Sequence, residues 1–308
     1  MPVIRFLPDD RTAEIAEGET VLEAARKVGV PLLHACGGTA RCSTCRVLIV
    51  EGAAACGGRN GHESAMAARL GFGPDVRLAC QTAPVGAAAT VTLRRLVLDD
   101  RDRDLAVSAV QSDVPGSAGV ERRLGILFCD IRGFTAFSES VPAYDVIHVL
   151  NRWLASAEGV VRRSGGYVDN YLGDGLMALF GIDGGTAADI AGQAVRCGLE
   201  LVAAAEAFSP YQEALFGRPF RIGVGVHLGE AVVGTVGTAE RKRTTAIGDA
   251  VNFAARVESA NKEAGTRMLV SGPVREALGP SLRVGRTLRV RVPGKTGEHE
   301  LFEALGAE

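Results

Sequence analysis

Two aspartates, Asp130 and Asp174, each sit beside an apolar, β-prone run: Leu124 to Cys129 leads into the first, and Gly175 to Phe180 leads away from the second. Carboxylates carried on strands beside turns let a sheet hold two acidic groups near one point. That donor set suits the hard divalent cations that accompany nucleoside triphosphates. A second pair, Asn252 and Arg256, is spaced i and i+4 in a run expected to be helical, so the two side chains share one face. A guanidinium fork can neutralise charge that develops on a transferring phosphoryl group, and an amide can orient a ribose or the arginine itself. Taken alone, Asn252 and Arg256 are better explained as a solvated helix face; beside two carboxylates, the balance reverses in favour of chemistry.

The cysteines form a further constellation. Cys36, Cys42 and Cys45 follow a C-x5-C-x2-C spacing, with Cys80 at a distance and Gly37 and Gly38 inside the loop. Three thiolates from one glycine-bearing loop and a remote fourth can wrap a compact [2Fe-2S] cluster, with small residues letting backbone amides approach the sulfurs. A structural zinc ion is the alternative, because the Cys42-x-x-Cys45 pair suits zinc as well; zinc ribbons, however, carry two close pairs, and Cys80 has no cysteine neighbour. Cys56 falls outside the pattern and is expected to be an unliganded thiol. Cys129 precedes an aspartate on a strand, so alternation turns it to the opposite face as a core thiol.

The elements that must position these groups follow from composition and periodicity. With 308 residues, 47% of them hydrophobic, the chain has the length of about two domains. Residues 1–96 hold the cysteine-rich part, with a short helical pattern from Thr20 to Val28. The charge cluster Asp99 to Asp104 and the Val114-Pro-Gly-Ser117 run mark a linker over 97–122. In 123–308, strands and helices alternate. The pattern predicts an apolar strand to Cys129, a helix from Pro142 to Arg163, a hairpin across Gly173 and Asp174, and a helix from Ala187 to Phe208. It continues with strands Phe220–His227 and Ala231–Val236, a helix Asp249–Ala264, and strands at 268–270, 282–292 and 299–303, an α+β arrangement of helices on a mixed sheet. Gly223-x-Gly225 lies inside a strand and is no dinucleotide fingerprint, and His227 beside it is expected to be a packing histidine.

A formal net charge of −2 suggests no nucleic-acid partner. Nothing approaches the roughly 20 apolar residues of a membrane span, and the first residues make no signal peptide, so a cytoplasmic location is expected. Thiols rather than disulfides fit that compartment.

The stretch from Ala35 to Arg46, with Leu78-Ala-Cys80-Gln81, resembles the adrenodoxin-type ferredoxins and implies a β-grasp fold for residues 1–96. From about 124 to 305, Phe128-x-Asp130-Ile131-Arg132-Gly133-Phe134-Thr135, Leu172-Gly173-Asp174 and Thr245-Ala-Ile-Gly248-Asp249-Ala-Val-Asn252-x-x-x-Arg256 resemble the class III nucleotidyl cyclases. That resemblance implies a ferredoxin-like βαββαβ domain and a homodimer with two active sites across its interface. Each site takes both aspartates from one subunit and the asparagine and arginine from the other. It also implies two Mg²⁺ or Mn²⁺ ions per site, held by Asp130, Asp174 and the backbone of Ile131, with Arg256 steadying charge on the phosphorus and Asn252 setting the ribose.

The family reads the base with a lysine four residues before the second metal aspartate and an aspartate or threonine seven before the asparagine; here these are Asn170 and Thr245. The threonine matches the bacterial class IIIb subgroup. An amide both donates and accepts, so Asn170 can meet N1 of adenine while Thr245 accepts from the exocyclic amine, or it can flip toward guanine. ATP is favoured, because the glutamate and cysteine of guanylyl cyclases are missing. Lys295 stands where the family places a lysine on the terminal phosphates; its Gly294-Lys295-Thr296 is no Walker loop, since position 289 is Arg289. The expectation is an adenylyl cyclase making 3′,5′-cyclic AMP and pyrophosphate, regulated through a redox-responsive cluster that exchanges electrons with a redox partner. Two alternatives stand beside it: a guanylyl cyclase, and a redox or electron-transfer module whose cyclase-like domain only dimerises or binds nucleotide.

Overall fold

The computed structural model describes residues 1–86, 89–96, 119–237, 242–291 and 297–307. The chain divides into two compact units, Met1–Val120 and Glu121–Glu308. Most of the stretch read as a linker, and Lys295 with it, lies outside the described residues.

In the first unit, strands β1 (Val3–Leu7), β2 (Arg11–Glu14), β3 (Arg46–Glu51), β4 (Val76–Leu78) and β5 (Thr90–Arg95) form one sheet in the order β2-β1-β5-β3-β4. The β1 and β5 strands run parallel and the other pairs antiparallel. Helix α1 (Val21–Lys27) grips this sheet. Thr20 and Glu23 close a capping box at its start, satisfying two of the backbone N–H groups that a helix terminus leaves open. Its Val21, Leu22, Ala24 and Ala25 are buried with Ile4, Phe6 and Leu93. This is the expected β-grasp arrangement. Helix α2 (Gly61–Leu70), capped by the Asn60 side chain, precedes β4.

The second unit is built on an eight-stranded sheet. Its elements are β6 (Val120–Ile131), α3 (Phe134–Ser140), α4 (Ala143–Arg163), β7 (Tyr167–Leu172), β8 (Gly175–Phe180), α5 (Ala187–Phe216) and β9 (Ile222–Gly237). These are followed by β10 (Lys242–Ile247), α6 (Asp249–Ala264), β11 (Met268–Ser271), α7 (Gly272–Leu278), β12 (Leu282–Val290) and β13 (His299–Ala307). The sheet order β12-β13-β11-β9-β6-β8-β7 contains β9-β6-β8-β7, the strand order of a βαββαβ unit, and β10 pairs with β9. Alternation sorts the sheet into two faces. Leu127, Cys129, Leu176, Ala178, Val224 and Val226 pack under α4, α5 and α7, whereas Ile126, Met177, Leu179 and Ala246 pack with Ala250 and Ala254 of α6.

Three boundaries differ from the sequence pattern. The two strands expected at 220–236 are one strand, because β9 pairs with β11 over Val224–Val226 and with β10 over Val232–Gly237. Its Gly229 is no turn: a Cβ there would lie 2.8 Å from Ala250 Cβ, so the glycine admits α6. Helix α5 runs on through Pro210 to Phe216, held by Phe208 and Tyr211 in an aromatic cluster with Trp153 and Phe220. Helices α3 and α7 were not evident from periodicity.

Candidate functional site

In the second unit, β6 ends at the first aspartate and the β7–β8 hairpin turns at the second. Leu172 pairs with Gly175, leaving Gly173 and Asp174 as a two-residue turn, and Gly173 takes the positive φ of +68° that such a turn needs. The pairing of Cys129 with Leu176 then sets the end of β6 against this turn. The Asp130 and Asp174 carboxyls come within hydrogen-bonding reach, and the Ile131 N–H also points at Asp174. Burial, and then the neighbouring Asp130, push the Asp174 carboxyl up to about 6. Neither carboxylate has a lysine or arginine ion-pair partner among the described residues. Two adjacent acidic oxygens without a balancing cation make a donor set for a hard divalent ion, and Mg²⁺ commonly takes one or two carboxylates and completes its shell from water and phosphate.

Arg132, next along, turns away from the pair. Its Nη2 donates to Glu258 Oε1 at 2.7 Å, and its guanidinium fills the space where a Cβ on Gly223 would stand. A Cβ on Gly225 would lie 2.1 Å from the Glu258 backbone nitrogen. The Gly223-x-Gly225 pair therefore passes an arginine and seats α6; it holds no dinucleotide. Burial pushes the Glu258 carboxyl up to about 7, with Arg132 opposing the shift and Asp130 adding to it. His227 is a packing residue as expected: its Nδ1 meets Ser271 Oγ at 2.8 Å and its ring lies against Phe253.

Helix α6 buries Ala250, Phe253, Ala254, Val257, Glu258 and Asn261 at helical spacing. Asn252 is exposed and Arg256 half-buried, both off that packed face. Arg256 borders a groove of about 550 Å³ with Leu288, Arg289 and Arg291 of the β12 end. Within one chain the α6 residue that senses Asp130 is thus Glu258, while Asn252 and Arg256 lie on a different side of the helix.

Asn170 and Thr245, the two residues expected to contact the base, stand on β7 and β10. Asn170 is opposite Met177, and Val168 opposite Ala178, with a bulge between them that inserts Asp169. Thr245 Oγ1 donates to Asp169 Oδ2 at 2.8 Å, and both residues are buried. Asp169 is the site-proximal residue that sequence reasoning missed; the signal would have been a carboxylate at an unpaired position one residue before Asn170.

In the first unit the four cysteines gather as two pairs. Cys45 Sγ and Cys80 Sγ are 3.5 Å apart, and Cys36 and Cys42 hydrogen-bond to each other. Two thiolates on one tetrahedral metal with bonds of about 2.3 Å stand about 3.7 Å apart, so each pair suits one iron. Among the described residues no three Cys, His, Asp or Glu side chains converge on a single ion. Each pair shares a proton: the Cys42 contact holds Cys36 down to about 4 while Cys42 is pushed up, and the Cys45 contact holds Cys80 down to about 6 while Cys45 is pushed up. Backbone N–H groups of Arg41, Cys42, Thr44 and Ala40 aim at the sulfurs. The left-handed Gly37 and Gly38 shape this loop, and a Cβ on Gly38 would touch Leu22 and Cys80. Cys56 joins neither pair, and Cys129 is 2% exposed inside the core.

Residues 118–303 match the family described as adenylate and guanylate cyclase catalytic domain. The chain belongs to the class III adenylate and guanylate cyclase family. Residues 4–85 match the 2Fe-2S iron-sulfur cluster binding domain, so an iron-sulfur type domain precedes the cyclase domain. An adenylate cyclase of Anabaena cylindrica is 35% identical over 174 residues, 55% of this chain and 33% of that protein. Among solved structures, the guanylyl cyclase Cya2 is 30% identical with a TM-score of 0.58, covering 62% of this chain and 95% of its own. The adenylyl cyclase CyaB from P. aeruginosa is 26% identical with a TM-score of 0.57, covering 61% and 96%. The chain spans a third or less of the length of the curated adenylate cyclases it matches. No helix among the described residues is long and apolar enough to cross a membrane.

Proposed function

We propose that the chain is an adenylyl cyclase that converts ATP to 3′,5′-cyclic AMP and pyrophosphate as a homodimer. The observation that carries this reading is the meeting of the Asp130 and Asp174 carboxyls at the end of β6, with no ion-paired lysine or arginine among the described residues. Asp130, Asp174 and the Ile131 backbone would hold two Mg²⁺ or Mn²⁺ ions, which when bound lower the pKa of the ribose 3′-hydroxyl and clamp the triphosphate. The 3′-hydroxyl gives its proton to solvent, its oxygen attacks the α-phosphorus in line, and the bond from the α-phosphorus to the bridging oxygen breaks as pyrophosphate leaves. Arg256, from the second subunit, lies beside the charge that builds on the phosphoryl oxygens, and a contact of that kind is worth roughly 3 to 4 kcal/mol. Asn252 orients the ribose. The position of Asn252 and Arg256 off the packed face of α6 supports this division of labour between subunits. Asn170 and Thr245 read the adenine, and Lys295 contacts the terminal phosphates.

Cys36, Cys42, Cys45 and Cys80 would hold a [2Fe-2S] cluster, which supplies one-electron chemistry when present. Its redox state, set by an external electron partner, biases the catalytic arrangement. Residues 1–96 are the ferredoxin domain, 97–122 the linker and 123–308 the cyclase domain, of class IIIb type and cytoplasmic. The test is product analysis of anaerobically purified holoprotein with ATP and with GTP, oxidised and reduced. Cyclic AMP formation that disappears in Asp130→Ala is expected; unchanged turnover in that variant ends the proposal. Equal rates in the two redox states end the regulatory part alone.

A further inference from the structure

Asp169 is a carboxylate with only 9% of its surface exposed, inserted by the β7 bulge against Thr245, which is 6% exposed. Its Oδ2 accepts the Thr245 hydroxyl proton at 2.8 Å, and the Ala246 N–H also points at the carboxylate. Its Oδ1 is buried without a hydrogen-bond partner. A hydroxyl has one proton and two lone pairs, and an ionised carboxylate can only accept. With the proton committed to Asp169, Thr245 has nothing but lone pairs to offer any other group.

We propose that Asp169 is a positioning residue that fixes the hydrogen-bond sense of Thr245, so that the site takes a base with an exocyclic amine and turns away one with a carbonyl at the same position. The inference rests on Thr245 being a base contact, as set out above, and it explains how a hydroxyl, which could otherwise serve either base by rotating, becomes selective. Adenine presents N–H donors to the fixed lone pair. Guanine and hypoxanthine present O6, and lone pair faces lone pair with no rotation to relieve it. A buried polar group left facing its like typically costs a discrimination of about 10- to 100-fold.

A competing reading makes the Asp169–Thr245 bond a tether that holds β10 to β7 and nothing more. The two readings separate when kcat/KM for ATP, GTP and ITP is measured in the full-length holoprotein and in Asp169→Asn, Asp169→Ala, Thr245→Val and the Asp169→Ala/Thr245→Val double variant. ITP isolates the six-position, because hypoxanthine lacks the two-amino group of guanine. Asp169→Ala frees the hydroxyl to donate, and a fall of about tenfold or more in the ATP-to-ITP and ATP-to-GTP ratios is expected, much of it through better use of the carbonyl bases. The double variant should show no further change beyond Thr245→Val, because Asp169 acts through the hydroxyl that valine lacks. Equal loss with all three nucleotides and unchanged ratios in Asp169→Ala would mean a tether and overturn the proposal. Should Asp169→Ala fold poorly by circular dichroism, the near-isosteric Asp169→Leu, which cannot accept the hydroxyl proton, carries the test, and unchanged ratios in it likewise refute the idea; Asp169→Asn, whose amide oxygen still accepts, should keep the wild-type ratios. Unchanged ratios in Thr245→Val would instead remove Thr245 as a base contact, and wild-type protein that uses GTP as well as ATP would refute both statements.

Discussion

Replacing Arg77 by methionine removes a guanidinium from the interior of the first unit while keeping most of its apolar bulk. Arg77 donates from Nε and Nη2 to the two oxygens of Glu63 at 2.9 Å each, and from Nη1 to the Gly57 carbonyl at 2.9 Å. The side chains are 4% and 0% exposed. After the substitution Glu63 keeps the Leu78 N–H, at 2.6 Å, as its remaining hydrogen bond and carries its charge in a dry site. Breaking a buried pair from one side costs about 3–5 kcal/mol, a large part of the roughly 5–15 kcal/mol that stabilises a typical domain. For a unit of this size each kcal/mol moves the midpoint by about 4–8 °C, so a drop of more than about 12 °C is expected. Because Leu78 stands two residues before Cys80, the cluster should go with the fold. Visible absorbance during heating, with iron and sulfide content, reports both. The Glu63→Gln/Arg77→Met double variant removes the stranded charge and should recover much of the loss. An Arg77→Met protein that holds its chromophore to within a few degrees of the wild type would refute this account of the network.

Asp174, raised to about 6, must shed its proton to bind a cation. Mn²⁺ affinity without nucleotide should therefore be level above about pH 7 and fall about tenfold per pH unit well below 6, as titration calorimetry between pH 5 and 8 would record. In ion-free protein the same raised value means that this group's favourable contribution to stability is present at low pH and is lost as the pH rises through about 6. Asp130→Ala and Arg256→Ala chains should each be inactive as homodimers, but mixing them equally should restore about a quarter of wild-type activity, because half the dimers then hold one intact site of two; no recovery would argue against sites shared between subunits. Cys45→Ser should abolish the visible spectrum, whereas Cys56→Ser should keep it, since Cys56 joins neither sulfur pair; equal loss in both would place the ligands wrongly.

Much of this protein was legible from its residues because the informative signals are local. The helical pattern from Thr20 to Val28, the Gly173-Asp174 turn between two apolar runs, the i, i+4 spacing of Asn252 and Arg256, and the cysteine spacing each depend on a few neighbouring positions, where turn chemistry and helical period act directly. Pairing between distant strands was not legible. The run Leu228-Gly229-Glu230 reads as a turn until β9 is seen to pair with β11 at one end and β10 at the other. Likewise Asp169 carries no local mark, since its role comes from a bulge in β7 and from β10, 76 residues away in sequence.

The sequence by itself determined which groups are available: two strand-borne carboxylates, an amide and a guanidinium on one helical face, and four thiols, all set by residue type and short spacing. The tertiary structure decided which of them meet. It set Asp130 against Asp174, sorted the thiols into two pairs, turned Arg132 onto Glu258 and handed the Thr245 proton to Asp169. The physical reason is that hydrogen bonds and charges act over a few ångströms, whereas the residues that make these contacts are separated by up to 126 positions and are brought within that range only by strand register and helix packing.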